Sequence, residues 1–239
     1  FQFLTDTLYY QEEVMELSKL VAISENLKGY DRYIMLSLIR RAMIRKLPYS
    51  RMNVPWQQIQ KLRDEEYSYK KYKRRRAYHN KSFEFHIREN IDKYNNAVFK
   101  GADCKAYNYD VFELLKHIDK VDIVYMDPPY PSTMNNYDDF YGKFDEMFDK
   151  KVHIDYTKKN TFLENLDRLI DALIDKTKYI MLSQNTKVKP EPELIEAILR
   201  KYGKVDVRRK DHNYQVTGKD NKNSSQEILF ILEINSISC

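Results

Sequence analysis

The chain has 239 residues, of which 42% are hydrophobic and 32% are charged, a composition typical of a folded protein with one substantial core and a smaller lobe. Its two cysteines, Cys104 and Cys239, are too few for a disulfide framework. No Cys/His spacing of the zinc type occurs, so we expect no metal site. The longest apolar runs are far shorter than a membrane span, and the N-terminus lacks a secretory pattern. These features predict a cytoplasmic protein that does not contact a membrane.

The formal net charge is +5, but the basic residues are concentrated in one segment. From Arg40 to Arg88 there are 15 Lys and Arg residues against 4 Asp and Glu residues, which leaves 26 basic and 32 acidic residues elsewhere. Such segregation is typical of a surface that binds a polyanion. A solvated helical face is the alternative, and charge alone does not decide between the two.

Hydrophobic periodicity predicts two helices at the start of the chain, over residues 11–27 and 31–46, with Pro48 closing the second. From residue 49 to residue 80 the periodicity weakens, while Arg, Lys and Tyr interleave. We therefore predict a basic surface lobe in this part of the chain.

After residue 95 short β-branched runs alternate with amphipathic stretches. This pattern predicts strands at residues 97–99, 121–126 and 179–183, helices at 110–116, 157–176 and 190–202, and an antiparallel strand pair at 205–208 and 227–233. The alternation favours an α/β fold with a mostly parallel sheet, helices on its faces and an antiparallel edge. We accordingly divide the chain into a mainly helical basic region, residues 1–95, and an α/β region, residues 96–239.

The predicted strand at residues 121–126 runs directly into Asp127, Pro128, Pro129 and Tyr130. Open α/β sheets bind ligands at the carboxyl ends of their strands, so Asp127 stands where a site is expected. The two prolines lack N–H groups and fix their own backbone angles, which holds the Pro128 carbonyl in one direction as a free acceptor. A carboxylate beside a carbonyl can accept both protons of one exocyclic amine.

This pair of acceptors suits an amine conjugated to a heteroaromatic ring, as in adenine. It draws the nitrogen towards tetrahedral geometry and turns its lone pair outward, so methyl transfer to the nitrogen becomes possible. The Tyr130 ring can stack on the base. The alternative is a proline-stiffened loop with a buried tyrosine.

The five glycines stand apart from one another, which excludes an enzyme with a glycine-rich phosphate loop.

At these residues the chain resembles the Dam-like, alpha-group DNA adenine-N6 methyltransferases, whose signature is Asp-Pro-Pro-Tyr after an apolar strand. The similarity extends to residues 106–115, 180–185 and 213–231. It implies a methyltransferase-type sheet with helices on both faces, beside a mainly helical, basic target-recognition lobe. It further implies S-adenosylmethionine as the methyl donor, double-stranded DNA as the substrate, and an adenine flipped out of the duplex. The setting would be restriction–modification or DNA marking.

The resemblance also assigns roles to individual residues. Asp127 and Pro128 would bind the target amine within a catalytic motif completed by Pro129 and Tyr130, and Asp110 would join Asp127 in contacting the cofactor. The basic segment falls where the family places target recognition, which implies contacts with DNA phosphates and base edges. The candidate DNA-binding residues are Arg40, Arg41, Arg45, Lys46, Arg51, Lys73, Arg74, Arg75, Arg76, His79 and Asn80.

One departure from the family concerns its glycine-rich strand-turn, which wraps the methionine part of the cofactor ahead of the basic lobe. Nothing between Phe1 and Arg40 matches it, and the chain begins with Phe rather than Met. We therefore expect an upstream segment or a second chain to supply this motif. Two alternatives stay open: a non-catalytic DNA-specificity subunit, and an enzyme that methylates an RNA or protein amine.

Overall fold

The computed structural model describes residues 1–73, 77–129, 131, 137–148, 159–186, 189–212 and 225–235. The chain divides into two compact units, which are considered separately. The first contains Phe1–Asp103 and Tyr137–Lys151, and the second contains Cys104–Asn136 and Val152–Cys239. None of the helices in these described ranges has the length and apolar character needed to cross a bilayer.

Ten helices and four strands are described. In chain order the helices are α1 (Gln11–Glu25), α2 (Gly29–Lys46), α3 (Trp56–Arg63), α4 (Glu65–Tyr72), α5 (Phe83–Arg88), α6 (Ile91–Asn96), α7 (Val111–Leu114), α8 (Tyr137–Glu146), α9 (Lys159–Asp171) and α10 (Pro192–Leu199). The strands are β1 (Val121–Met126), β2 (Thr177–Asn185), β3 (Gly203–His212) and β4 (Ser225–Ile234).

The first unit is built from helices α1 to α6 and α8, with 3-10 turns at Gln2–Leu4, Pro48–Ser50 and Ala77–Asn80. The two helices predicted at its start are confirmed. Their apolar residues, such as Leu17 in α1 and Met43 in α2, lie in one buried core because they recur at helical spacing.

A buried charge cluster joins three helices of this unit. Glu13 in α1 accepts hydrogen bonds from both terminal nitrogens of Arg63 in α3, at 2.8 and 2.7 Å. Glu13 also pairs with Lys46 in α2 at 2.7 Å, and all three residues are buried. Burial alone would raise the pKa of Glu13, but the hydrogen bonds and charges of Arg63 and Lys46 outweigh it and lower that pKa. The cluster therefore holds Glu13 in its ionised form.

The second unit contains a four-stranded sheet in the order β1-β2-β4-β3. β1 pairs with β2 in parallel, while β4 pairs antiparallel with both β2 and β3. The predicted antiparallel pair is thus confirmed. The prediction of a mostly parallel sheet is wrong for the described strands, because β4 returns between β2 and β3.

The core of the second unit lies on one face of this sheet. Ile180, Leu182 and Phe230 point into it and pack in the same cluster as side chains from α7, α9 and α10. Ile123 and Tyr125 alternate with the inward residues of β1 and are 51% and 60% exposed. We predicted helices on both faces of the sheet. In the described residues of this unit, the helices pack against one face only.

The strand predicted at residues 97–99 is also wrong, because these residues lie in a turn followed by irregular chain. Phe99 is 82% exposed. A strand needs a neighbour to satisfy its backbone groups, and no described strand pairs with this segment. The apolar run at residues 97–99 was therefore not sufficient to predict a strand.

The charge cluster generates a stability prediction for the first unit. Glu13→Gln would leave Lys46 and Arg63 buried without their counter-charge, and we expect the free energy of unfolding to fall by about 3–5 kcal/mol. Trp56, the single tryptophan, is packed against the core of this unit, so its fluorescence during urea unfolding reports the change.

The matched control is Glu84→Gln, which removes an exposed ion pair with Arg88 in α5. Its expected effect is within about 0.5 kcal/mol of zero, because exposed helical pairs contribute little. Equal effects of the two substitutions on unfolding would contradict the role given to the cluster.

Candidate active site

The candidate site begins where β1 ends. The register pairs Met126 with Leu182 of β2, so the chain leaves the sheet at Asp127. Asp127 is exposed and the two prolines that follow are half-buried. Parallel pairing with β2 therefore places the carboxylate and the Pro128 backbone at the carboxyl edge of the sheet, as the sequence predicted.

A cavity of about 360 Å³ opens beside this turn, within the range of about 300–1,000 Å³ typical of ligand pockets. Its walls come from α7, β1, α9 and β2, and they are mostly apolar. Among the described lining residues the charged ones are Asp110 and Asp127. The structure thus brings four of the predicted site residues around one apolar space: Asp110, Asp127, Pro128 and Pro129.

The apolar walls of the cavity were not predicted as site residues. They include Phe162, Leu166 and Leu169 of α9. In the sequence these residues show only the spacing of an amphipathic helix, which is equally typical of a core-facing helix without a ligand. Only their position opposite the Asp127 turn identifies them as part of the cavity.

Asp110 begins α7 and is held by that helix. Its carboxylate accepts a hydrogen bond from the Phe112 N–H at 2.9 Å, which is an N-cap contact. The preceding Tyr109 also lines the cavity and stacks on His117, with ring centroids 4.7 Å apart and an interplanar angle of 20°. Tyr107 stacks on Tyr109 in turn, at 6.0 Å. These contacts fix the chain on both sides of Asp110.

At the carboxyl end of β2, Gln184 is fully buried. Its Oε1 accepts the Asn185 N–H at 3.1 Å, while its Nε2 has no hydrogen-bond partner in the described part of the chain. Because β1 and β2 are parallel, this donor lies at the same edge of the sheet as Asp127.

The predicted DNA-binding residues lie in the first unit. Arg40, Arg41 and Arg45 lie on α2, and Arg51 follows the 3-10 turn after it. Arg40 and Arg45 are exposed, whereas Arg41 and Arg51 are half-buried. Lys73 is exposed and ends α4 in a left-handed conformation. This part of the unit therefore presents several cations to solvent.

Two of the predicted DNA-binding residues make contacts within the first unit. Lys46 is 1% exposed and is held by Glu13, so its ammonium cannot reach a phosphate without breaking a buried ion pair. Asn80 uses its amide on Arg63: its Oδ1 accepts from Nε at 3.0 Å, and its Nδ2 donates to the Arg63 carbonyl at 2.9 Å. We correct the assignment of Lys46, because its ammonium is buried, whereas Asn80 is exposed and remains a candidate for a base contact.

His79 is hydrogen-bonded through Nδ1 to the Arg45 carbonyl at 2.8 Å and is half-buried. The predicted residues Tyr130, Arg74, Arg75 and Arg76 lie outside the described residues.

Comparisons with known proteins identify the family of the chain. Residues 7–197 match the family described as D12 class N6 adenine-specific DNA methyltransferase. The chain is also 46% identical over 236 residues to the Type II methyltransferase M2.HphI of Haemophilus parahaemolyticus, an alignment that covers 96% of this chain and 70% of that protein. No solved structure matches the chain.

Proposed function

The chain belongs to the D12 class of N6 adenine-specific DNA methyltransferases, and from that premise we propose that Asp127 and Pro128 hold the adenine amine that is methylated. The observation that carries this proposal is the position of the Asp127-Pro128-Pro129 turn at the mouth of an apolar cavity, at the carboxyl edge of the sheet. Family membership favours DNA over the RNA and protein amines considered above. The relative's description as a Type II methyltransferase supports a restriction–modification setting.

In this mechanism the protein contributes mainly positioning. The Asp127 carboxylate and the Pro128 carbonyl accept hydrogen bonds from the two N6–H groups of an adenine flipped from the duplex, which turns the nitrogen lone pair outward. The methyl group that the amine receives would come from the bound donor, and one N6 proton leaves to solvent. Asp127 also stabilises the positive charge that the amine carries until that proton departs. Tyr130, next in sequence, is proposed to stack on the base.

The residues around the cavity fit S-adenosylmethionine as that donor. The apolar walls suit an adenine ring, and the two carboxylates that line the cavity suit a cationic ligand. Asp110 and Asp127 are the residues proposed to hold the cofactor. When bound, it supplies the methyl group from a sulfonium.

Double-stranded DNA is proposed to contact the basic residues of the first unit. The exposed cations Arg40, Arg45 and Lys73, together with Arg41 and Arg51, are suited to phosphates, which fix the position of the protein without reading sequence. The candidates retained for base contacts are Arg74, Arg75, Arg76, His79 and Asn80.

A further polypeptide segment is proposed to complete the cofactor site. β1 is an edge strand of the described sheet, and its outer residues Val121, Ile123 and Tyr125 are apolar yet exposed. An apolar edge strand of this kind invites pairing with another strand. The segment proposed here carries the glycine-rich strand-turn expected from the family, supplied by the same polypeptide or by a second chain.

The role of Asp127 is tested by Asp127→Asn. A neutral amide is a weaker acceptor and cannot stabilise the developing charge, so we expect kcat for methyl transfer into duplex DNA to fall at least about 100-fold, with DNA affinity unchanged. The control is Asp122→Asn, an exposed carboxylate on the same strand. Normal turnover by Asp127→Asn would end the proposal.

The cofactor site is tested by calorimetric titration with S-adenosylmethionine. We expect weak binding to the 239-residue chain alone and tighter binding when a polypeptide bearing the glycine-rich turn is present, because the methionine part then gains its contacts. Tight binding by this chain alone would show that no further segment is needed. Absence of binding in both samples would contradict the assignment of Asp110.

A further inference from the structure

A polar groove lies between α3 and α4 in the first unit. It has a volume of about 400 Å³ and is called the α3–α4 groove below. It is lined by Pro55, Gln57, Gln58, Lys61, Leu62, Tyr67, Lys71 and Tyr72. No carboxylate occurs among these described lining residues. The side chains around the groove therefore offer ammonium, amide and phenol groups but no negative charge.

The walls of this groove are fixed by local hydrogen bonds. The Asp64 carboxylate, between the two helices, accepts the Tyr67 N–H at 2.9 Å and so begins α4 directly after α3. The buried Ser68 hydroxyl donates to the Leu62 carbonyl at 2.7 Å and ties the helices together. Leu62 itself is 2% exposed and anchors α3 in the interior. The groove is therefore preformed, and a ligand would not have to order it.

Two cations face this space from opposite helices, Lys61 on α3 and Lys71 on α4. The Lys71 ammonium donates to the Tyr67 hydroxyl at 3.1 Å and lies 5.5 Å from the ring centroids of both Tyr67 and Tyr72. These contacts hold the ammonium at the groove and occupy the aromatic faces. The groove therefore suits an anion better than a stacked base.

The acidic residues of the same helix pair line a different depression. This depression is lined by Asp64, Glu65 and Glu66, and also by Arg63. Lys61 lines both the depression and the α3–α4 groove. Charge is thus divided along α4, with Glu65 and Glu66 in its first turn and Lys70 and Lys71 in its last, while Lys61 of α3 borders both spaces. A polyanion would be attracted to the lysine end and repelled from the acidic end, so this element favours one orientation on DNA.

We propose that the α3–α4 groove binds a phosphodiester of the duplex, with Lys61 and Lys71 as the phosphate contacts and the amides of Gln57 and Gln58 as further donors. This inference rests on the proposed function, since it takes duplex DNA as the ligand. It adds Lys61 and Lys71 to the DNA contacts proposed above. Contacts of this kind fix register on the duplex and carry no sequence information.

The experiment measures duplex binding by fluorescence anisotropy over a series of salt concentrations, with Lys61→Gln, Lys71→Gln and the double variant. Each single substitution is expected to lower the slope of log K against log[salt] by about 1, and the double substitution by about 2. The loss of affinity should be the same for duplexes of unrelated sequence. Lys19→Gln, which removes an exposed lysine from α1, is the control and should leave the slope unchanged.

Unchanged slopes for both single variants, with the wild-type protein still binding duplex, would overturn the groove proposal and leave the proposed function intact. A wild-type protein with no salt-dependent duplex binding would instead count against the proposed function itself. Inorganic phosphate at constant ionic strength provides a second arm. If millimolar phosphate displaces duplex equally well from the wild-type protein and from the double variant, the anion binds elsewhere and the proposal is overturned.

Discussion

The parallel pairing of β1 with β2 is the constraint on which the site depends. The pairing is reinforced at the start of β1, where the Val121 N–H donates to the Lys176 carbonyl at 2.9 Å and the Thr177 hydroxyl donates to the Asp122 carbonyl at 3.1 Å. Because the register is fixed there, the carboxyl end of β1 is fixed too. Asp127 therefore reaches the cavity mouth without help from any regular element after it.

Two prolines make the position of Asp127 at the end of β1 rigid. A sheet edge normally continues into a mobile loop, but Pro128 and Pro129 restrict the backbone where it leaves the sheet. The acceptors proposed for the amine would therefore be positioned before the substrate arrives, which is the form of preorganisation that lowers a reaction barrier. Around them, the apolar side chains of α9 supply a space in which an electrostatic contact is stronger than in water.

Local patterns predicted the strands and helices whose periodicity is strong, including α1, α2, β1 and β4, and the Asp127 turn was identified from its residues alone. The burial of individual side chains was harder to predict from the sequence. Lys46 and Arg45 are adjacent basic residues in sequence, yet one is buried against Glu13 and the other is exposed, because successive helical residues face different sides. The exposed Phe99 shows the same limit for strands, since an apolar run forms a strand only beside a pairing neighbour.

The central claim is that one carboxylate and one carbonyl together bind the N6 amine of the target adenine. The most direct measurement is a crystal structure of the active protein with duplex DNA and a non-reactive cofactor analogue. The account predicts that N6 lies about 2.7–3.2 Å from both an Asp127 carboxylate oxygen and the Pro128 carbonyl oxygen. A flipped adenine whose N6 contacts neither atom, or an adenine that stays stacked in the duplex, would contradict it.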